Sequence, residues 1–180
     1  MGTWSIWHFA IFIIVAVLAA LTGRSATNIG DNAVASLKGY GGWLVVFSAF
    51  LLFWAAQELG EFYRVKSQLQ TLIPSAMNDP TYMTYLAYAK ELAWLEALVL
   101  VACAILPMIK RYTAWAVKAI IAGLWLAGPV AAATELAMAD SYFSDYIVEH
   151  DYSALAATIL FATTWTCYLL MSRRVKQTYY

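Results

Sequence analysis

The stretch YLAYAKELAWLEALVLVACAILPMI, residues 85–109, decides the fold of this 180-residue chain. After Glu91 it carries a single charged side chain, Glu96, before it ends at Ile109. A membrane-spanning helix needs about 20 mostly apolar residues, so the stretch predicts a span. Its apolar residues do not alternate with polar ones, which favours a helix over a barrel strand.

Four further segments meet the same criterion, and composition agrees with them. Hydrophobic residues make up 63% of the chain and charged residues only 12%, against about 25% charged residues in soluble domains. The sequence therefore predicts an all-α polytopic membrane protein, a five-helix transmembrane bundle. The five predicted spans run from about 4 to 22, from 43 to about 57, from about 85 to 109, from 113 to about 137 and from 153 to 171. We expect the second helix to continue past the headgroups toward Ser67.

Charge asymmetry predicts the orientation of these spans. The basic residues that fall on one side are Arg24, Lys38, Lys110, Arg111, Arg173, Arg174 and Lys176. The opposite side receives mainly acids, with Arg64 and Lys66 as its clear basic pair; the acids are Asp79, Asp140, Asp145, Glu149 and Asp151. Because basic loops stay in the cytoplasm, we expect a cytoplasmic C-terminus and an outside N-terminus.

The first forty residues form the predicted N-terminal anchor helix and its cytoplasmic connector. Their opening, MGTWSIWH at 1–8, and the stretches NIGD at 28–31 and ASLKGY at 35–40 resemble the single-span subunit of the twin-arginine translocase. The Phe-Gly hinge that usually follows the span of that subunit is missing here, and the amphipathic stretch carries few basic residues. We interpret the segment as an uncleaved anchor, because it lacks a basic n-region and a clear cleavage pattern.

Residues 41–180 form the predicted four-span domain. Its beginning, GGWL at 41–44, its last span with Trp165 and Tyr168, and its tail, SRRVKQT at 172–178, resemble the bacterial inner-membrane family called domain of unknown function 2569. The resemblance implies a four-span architecture in the bacterial inner membrane and no established activity.

The two end motifs have a physical interpretation of their own. Gly41 and Gly42 let the backbone enter the membrane tightly, and Trp43 suits the interface. In the tail, Arg173, Arg174 and Lys176 are placed to meet anionic lipid, at about 1 kcal/mol for each charge. We expect a topology anchor here, with a docking site for a cytoplasmic partner as the alternative.

Charged residues in or near the spans are the candidate functional residues, because a charge costs at least about 2.5–3.5 kcal/mol at mid-bilayer. At 1.5 Å per residue, Glu96 lies roughly 20 Å from the cytoplasmic end of its span, deeper than any other carboxylate. The remaining candidates lie at a similar outer level or closer to the outer interface, and they are Glu58, Glu61, Lys90, Glu91 and Glu135.

Two interpretations of this acidic layer remain open. In the structural one, Lys90 pairs with a carboxylate, and Glu96 is protonated or hydrogen-bonded to Thr134 or a tyrosine. In the functional one, the acids line an outward-open cavity that takes up a proton, a cation or a basic ligand.

Other features of the sequence are less informative. Gly128-Pro129 predicts a kink in the fourth span, which we interpret as a kink without transport. Cys103 and Cys167 are expected to be packing residues and not a disulfide. No metal, nucleophile or phosphate motif is present, so the sequence predicts no enzyme, no cofactor and no metal site. No basic stretch suits nucleic acid.

These features leave three function classes open. The leading prediction is an accessory or structural subunit of a larger membrane assembly, since the chain is small and its N-terminal helix adds lateral surface for partners. A small transporter or ion-coupled protein that uses the outer carboxylates is the alternative. An intramembrane enzyme has the least support.

Overall fold

A computed structural model of the protein describes residues 40–109, 113–143 and 152–180. The predicted first span and the translocase-like segment lie outside these residues. The described part is all-helical: α1 Trp43–Leu72, a 3₁₀ turn Pro74–Asn78, α2 Pro80–Ile109, α3 Ala114–Trp125, a π-helical segment Leu126–Val130, α4 Ala131–Phe143, α5 Ser153–Met171 and α6 Arg173–Tyr179.

Four helices of the described residues are long and apolar enough to cross a membrane. They are Trp43–Leu72, Pro80–Ile109, Ala114–Phe143 and Ser153–Met171. The last of these has the predicted bounds, and the expected continuation of the second predicted helix is confirmed. That helix extends to Leu72, beyond Ser67, because a helix satisfies its own backbone hydrogen bonds and can continue from lipid into water.

The third predicted span belongs to a helix that starts about a turn and a half before it. Helix α2 begins at Pro80 and not near Tyr85. Proline suits the first helical position, where its missing N–H would have no partner. The side chain of Asp79 accepts a hydrogen bond from the backbone N–H of Thr81 at 2.8 Å and so caps this end.

The helix break predicted at Gly128-Pro129 takes the form of a π turn. Leu126–Val130 connects α3 to α4 without interrupting the helical rod. Proline has no N–H to donate, so the ordinary α-helical hydrogen-bond pattern cannot pass through Pro129. A π turn also rotates the following residues relative to a regular helix, which changes the face that α4 presents to the bundle.

The core of the bundle lies where the four long helices meet. Its fully buried side chains include Phe47, Leu51, Leu100, Ile120 and Leu124. The α1–α2 pair forms the most extensive helix contact among the described residues. Buried residues recur every three or four positions along α1 and α2, as expected for helices that bury one face.

The beginning and the tail of the four-span domain lie against each other. Gly42 has φ +56°, a conformation that glycine adopts easily, and a Cβ added at Gly41 would lie 2.9 Å from a guanidinium nitrogen of Arg174. The tail itself forms α6, with Val175 and Tyr179 buried. One face of the tail is therefore part of the bundle, while the lipid-anchor prediction still applies to its exposed cations.

Candidate carboxylate site

Three glutamates continue the buried faces of three different helices. On α1, Glu58 follows Leu51 and Ala55 at helical spacing, and on α2 Glu96 stands between Ala93 and Ala97. Residues three or four apart lie on the same side of a helix, so these acids face the bundle and not the lipid.

Helix α4 supplies the third acid, which lies at the surface of the bundle. Glu135 follows the buried residues Ala131 and Ala132 at a spacing of four and three residues. The neighbours of all three glutamates on these faces are largely alanines, which let helix backbones approach closely. The acids therefore meet at a level of the bundle where the surrounding side chains are small.

Carboxylate oxygens of Glu58, Glu96 and Glu135 all lie within 4.8 Å of one another. Burial differs strongly among them: Glu135 is exposed on the surface of the bundle, Glu58 is half-buried, and Glu96 is only 5% exposed. The cluster therefore extends from the surface of the bundle into its interior.

The innermost acid has an unsatisfied oxygen. Oε1 of Glu96 is buried and has no hydrogen-bond partner among the described residues. Thr134, one of the partners considered for Glu96, donates its hydroxyl to the carbonyl oxygen of Val130 at 2.8 Å instead. Buried polar atoms are normally hydrogen-bonded, so the Glu96 oxygen needs a proton or a bound ligand as its partner.

Trp54 holds the half-buried acid in place. Its indole N–H donates to Oε1 of Glu58 at 2.6 Å, from one helical turn earlier on α1. The ring of Trp54 lies against Gly128, where an added Cβ would be 3.3 Å from the indole and 3.5 Å from Cβ of Thr158. The glycine of the π turn thus makes room for the tryptophan that orients Glu58.

The structure separates the other predicted site residues from this cluster. Lys90 and Glu91 are exposed, and within residues 40–109, 113–143 and 152–180 Lys90 forms no ion pair with a clustered glutamate. Glu61 is also exposed and pairs with Arg64 on its own helix. The side chain of Lys90 lies on the outer surface of α2, away from the three clustered carboxylates of the described residues.

The predicted interface residues lie near the start of α1, whereas Glu58 lies about 22 Å further along that helix, near its middle. Trp43 is 66% exposed, and Arg173 and Lys176 are exposed as well. Arg174 is half-buried beside Gly41 and Gly42. The exposed cations are free to meet lipid, whereas Arg174 packs against the start of the domain.

Neither cysteine belongs to the carboxylate cluster. Both are free thiols, Cys103 buried and Cys167 exposed. Cys103 is a packing residue at the contact of α2 with α3, where its sulfur lies 3.8 Å from the carbonyl oxygen of Ile120.

Replacing Trp54 by phenylalanine is expected to lower the free energy of unfolding by about 1.5–3 kcal/mol, the usual contribution of a hydrogen bond to a charged group. The substitution removes the N–H donor to Glu58 and, with it, the far edge of the indole whose Cη2 lies against Gly128. Thermal unfolding in detergent measures the effect, and the exposed Trp94, changed to phenylalanine, is the control. Equal melting temperatures for wild type and Trp54→Phe would contradict the role given to this hydrogen bond.

In the part of the chain that the structure describes, these observations define an all-helical membrane-type protein with four helices capable of crossing a membrane and an acidic cluster where three of its helices meet. Residues 37–180 match the family described as "Protein of unknown function (DUF2569)", and the chain belongs to that family. Comparisons with curated proteins and with solved structures gave no match. The family's description names no activity, so function has to be argued from the site.

Proposed function

We propose that the protein is a small ion-coupled membrane protein that takes up a proton or a cation at Glu58, Glu96 and Glu135. The observation that supports this proposal is the unpartnered carboxylate oxygen of Glu96, buried beside two other carboxylates. Three ionised acids so close together, with no cation paired to them among the described residues, repel one another. Uptake of a positive charge relieves that repulsion.

The route to the cluster follows from its burial. Glu135 lies at the surface of the bundle and Glu96 in its interior, so an ion that arrives at Glu135 is passed inward. We propose that this route opens toward the outside of the cell, on the side where basic residues are few. The bacterial inner membrane, which the sequence predicts, is the proposed location.

An accessory role in a larger assembly is the second candidate. The observation in its favour is α5, whose long apolar face is the least covered among the described spans, with Ala162 and Leu169 as its buried residues. A neighbouring subunit could pack there in place of lipid. Ion uptake at the carboxylates is compatible with such a role, and it has the more specific geometric support.

The thermal stability of the protein should fall as pH rises from about 5 to about 8 in the presence of a metal chelator. If the folded cluster binds protons that the unfolded chain releases, stability is lost with rising pH, because the native state then holds more protons. Glu96→Gln removes one of the three charges while keeping side-chain volume, so it should flatten this dependence.

The matched control is Glu91→Gln, an exposed acid on the same helix, which should keep the wild-type pH dependence. Melting curves across the pH series give the result. A wild-type protein without pH dependence, or a Glu96→Gln variant with the wild-type slope, would overturn proton uptake at this cluster.

A further inference from the structure

We infer that Glu58, Glu96 and Glu135 form a binding site for a divalent cation with hard-ligand preference, of the Ca²⁺ or Mn²⁺ type. This inference rests on the proposed function and makes it more specific. It starts from the spacing of the three carboxylates, which come from α1, α2 and α4 and have no shared sequence motif.

The oxygen spacing suits a single metal ion. Ca²⁺ binds oxygen ligands at about 2.3–2.6 Å, so two oxygens on opposite sides of one ion are separated by up to about 5 Å. The mutual separations within 4.8 Å fall inside that limit for all three pairs. One ion can therefore contact an oxygen of each glutamate with only a small adjustment of the side chains.

The ligand chemistry selects the class of metal. All three candidate ligands are carboxylates, which suit Mg²⁺, Ca²⁺ and Mn²⁺, whereas softer metals favour imidazole and thiolate. The nearest thiol along α2 is Cys103, seven residues from Glu96 and thus about 10 Å along the helix axis. It lies against α3 and not at the cluster.

Charge favours a divalent ion over a single proton. With all three acids ionised the cluster carries three negative charges, and a divalent cation leaves one of them uncompensated where one proton leaves two. Glu96 is the acid that most needs compensation, since it is 5% exposed and its Oε1 has no partner among the described residues. Leaving a buried carboxylate ionised without a partner is costly, and a bound metal ion supplies that partner.

Access and coordination number fit the same assignment. The exposed Glu135 leaves one side of the cluster open for entry, and water molecules can complete the six to eight oxygen ligands that Ca²⁺ takes. Since the three ligands lie on three helices, a bound ion holds α1, α2 and α4 together. We expect such an ion to raise the melting temperature of the folded protein.

The experiment uses the full-length chain, purified in detergent and stripped with a chelator. Mn²⁺ is titrated at about pH 8, and electron paramagnetic resonance measures the loss of the free-ion signal. We expect saturable binding of one Mn²⁺ per chain, competition by Ca²⁺ and a higher melting temperature. Glu96→Gln and Glu135→Gln should each weaken Mn²⁺ binding by at least about tenfold, and Glu91→Gln should leave it unchanged.

Three results would overturn the divalent site: no saturable Mn²⁺ binding to the wild type, equal affinity in Glu135→Gln, or an equal loss in Glu91→Gln. Glu135 is exposed, so its substitution leaves the core intact and remains informative if Glu96→Gln fails to fold. A protein that keeps the Glu96-dependent pH effect in chelator but does not bind Mn²⁺ takes up protons only. In that case the proposed function stands and the divalent site fails. If neither the Glu96-dependent pH effect nor Mn²⁺ binding is observed, both the proposed function and the divalent site are wrong.

Discussion

Replacing Gly123 by alanine is expected to destabilise the bundle by about 1–3 kcal/mol, the usual cost of overpacking a core. A Cβ at this position would lie 2.3 Å from Sγ of Cys103 and 3.3 Å from Cγ1 of Val99. The first distance is far inside van der Waals contact, so α2 and α3 must separate or Cys103 must leave its position. Thermal unfolding in detergent measures the loss.

A second substitution tests the reason for this effect. The atoms within 4 Å of the added Cβ are the sulfur of Cys103 and the methyl of Val99, so Cys103→Ala removes the severe clash. The double variant Cys103→Ala/Gly123→Ala should therefore be more stable than the sum of the single effects predicts, which a double-mutant cycle measures. Additive effects would place the cause elsewhere.

Gly60→Ala is the matched control for this cycle. No atom lies within 4 Å of a Cβ added at Gly60, which also lies inside a long helix. Alanine favours a helix over glycine by about 1 kcal/mol, so this variant should be as stable as the wild type or slightly more stable. If Gly60→Ala and Gly123→Ala were to lower the melting temperature equally, close packing at Gly123 would not be the cause.

The sequence predicts the four described spans because lipid imposes a simple rule on length and polarity. It does not predict where a helix stops in water. The end of α1 at Leu72 and the start of α2 at Pro80 therefore could not be read from the sequence. The short tail helix α6 was not expected either, since seven residues form a stable helix only when other parts of the protein pack against them.

The carboxylate site could also be predicted only in part. Counting residues along a helix gives the depth of a side chain in the membrane, and this depth places Glu58, Glu96 and Glu135 at similar levels. Depth does not give the face of the helix, so Lys90 and Glu91 were included although they lie on the outer surface.

Sequence motifs for metal ligands do not cover a site of this kind. Motifs such as two histidines one turn apart place both ligands on one helix, whereas here each helix contributes one acid. Only the packing of α1, α2 and α4 brings the ligands together. The π turn before α4 adds to the difficulty, because it rotates Glu135 relative to the face that regular helical spacing predicts.

Replacing Tyr179 by alanine is expected to lower the free energy of unfolding by about 3 kcal/mol or more, which is typical of removing a buried aromatic ring. Tyr179 is 2% exposed in the core cluster, and its hydroxyl donates to the carbonyl oxygen of Pro107 at 2.6 Å. Pro107 lies in the last turn of α2, where carbonyls lack partners within the helix. The tyrosine thus caps α2 as well as filling the core.

The conservative variant separates these two contributions. Tyr179→Phe keeps the ring and leaves the Pro107 carbonyl without its donor, so it should cost about 1–3 kcal/mol, less than Tyr179→Ala. The adjacent Tyr180 is 68% exposed, and Tyr180→Ala is the matched control, with little expected effect on melting. Equal melting of Tyr179→Ala and Tyr180→Ala would mean that the tail only anchors the chain to lipid. A selective loss at Tyr179 would mean that the tail is a structural part of the bundle, since it joins the end of α2 to the glycines that begin α1.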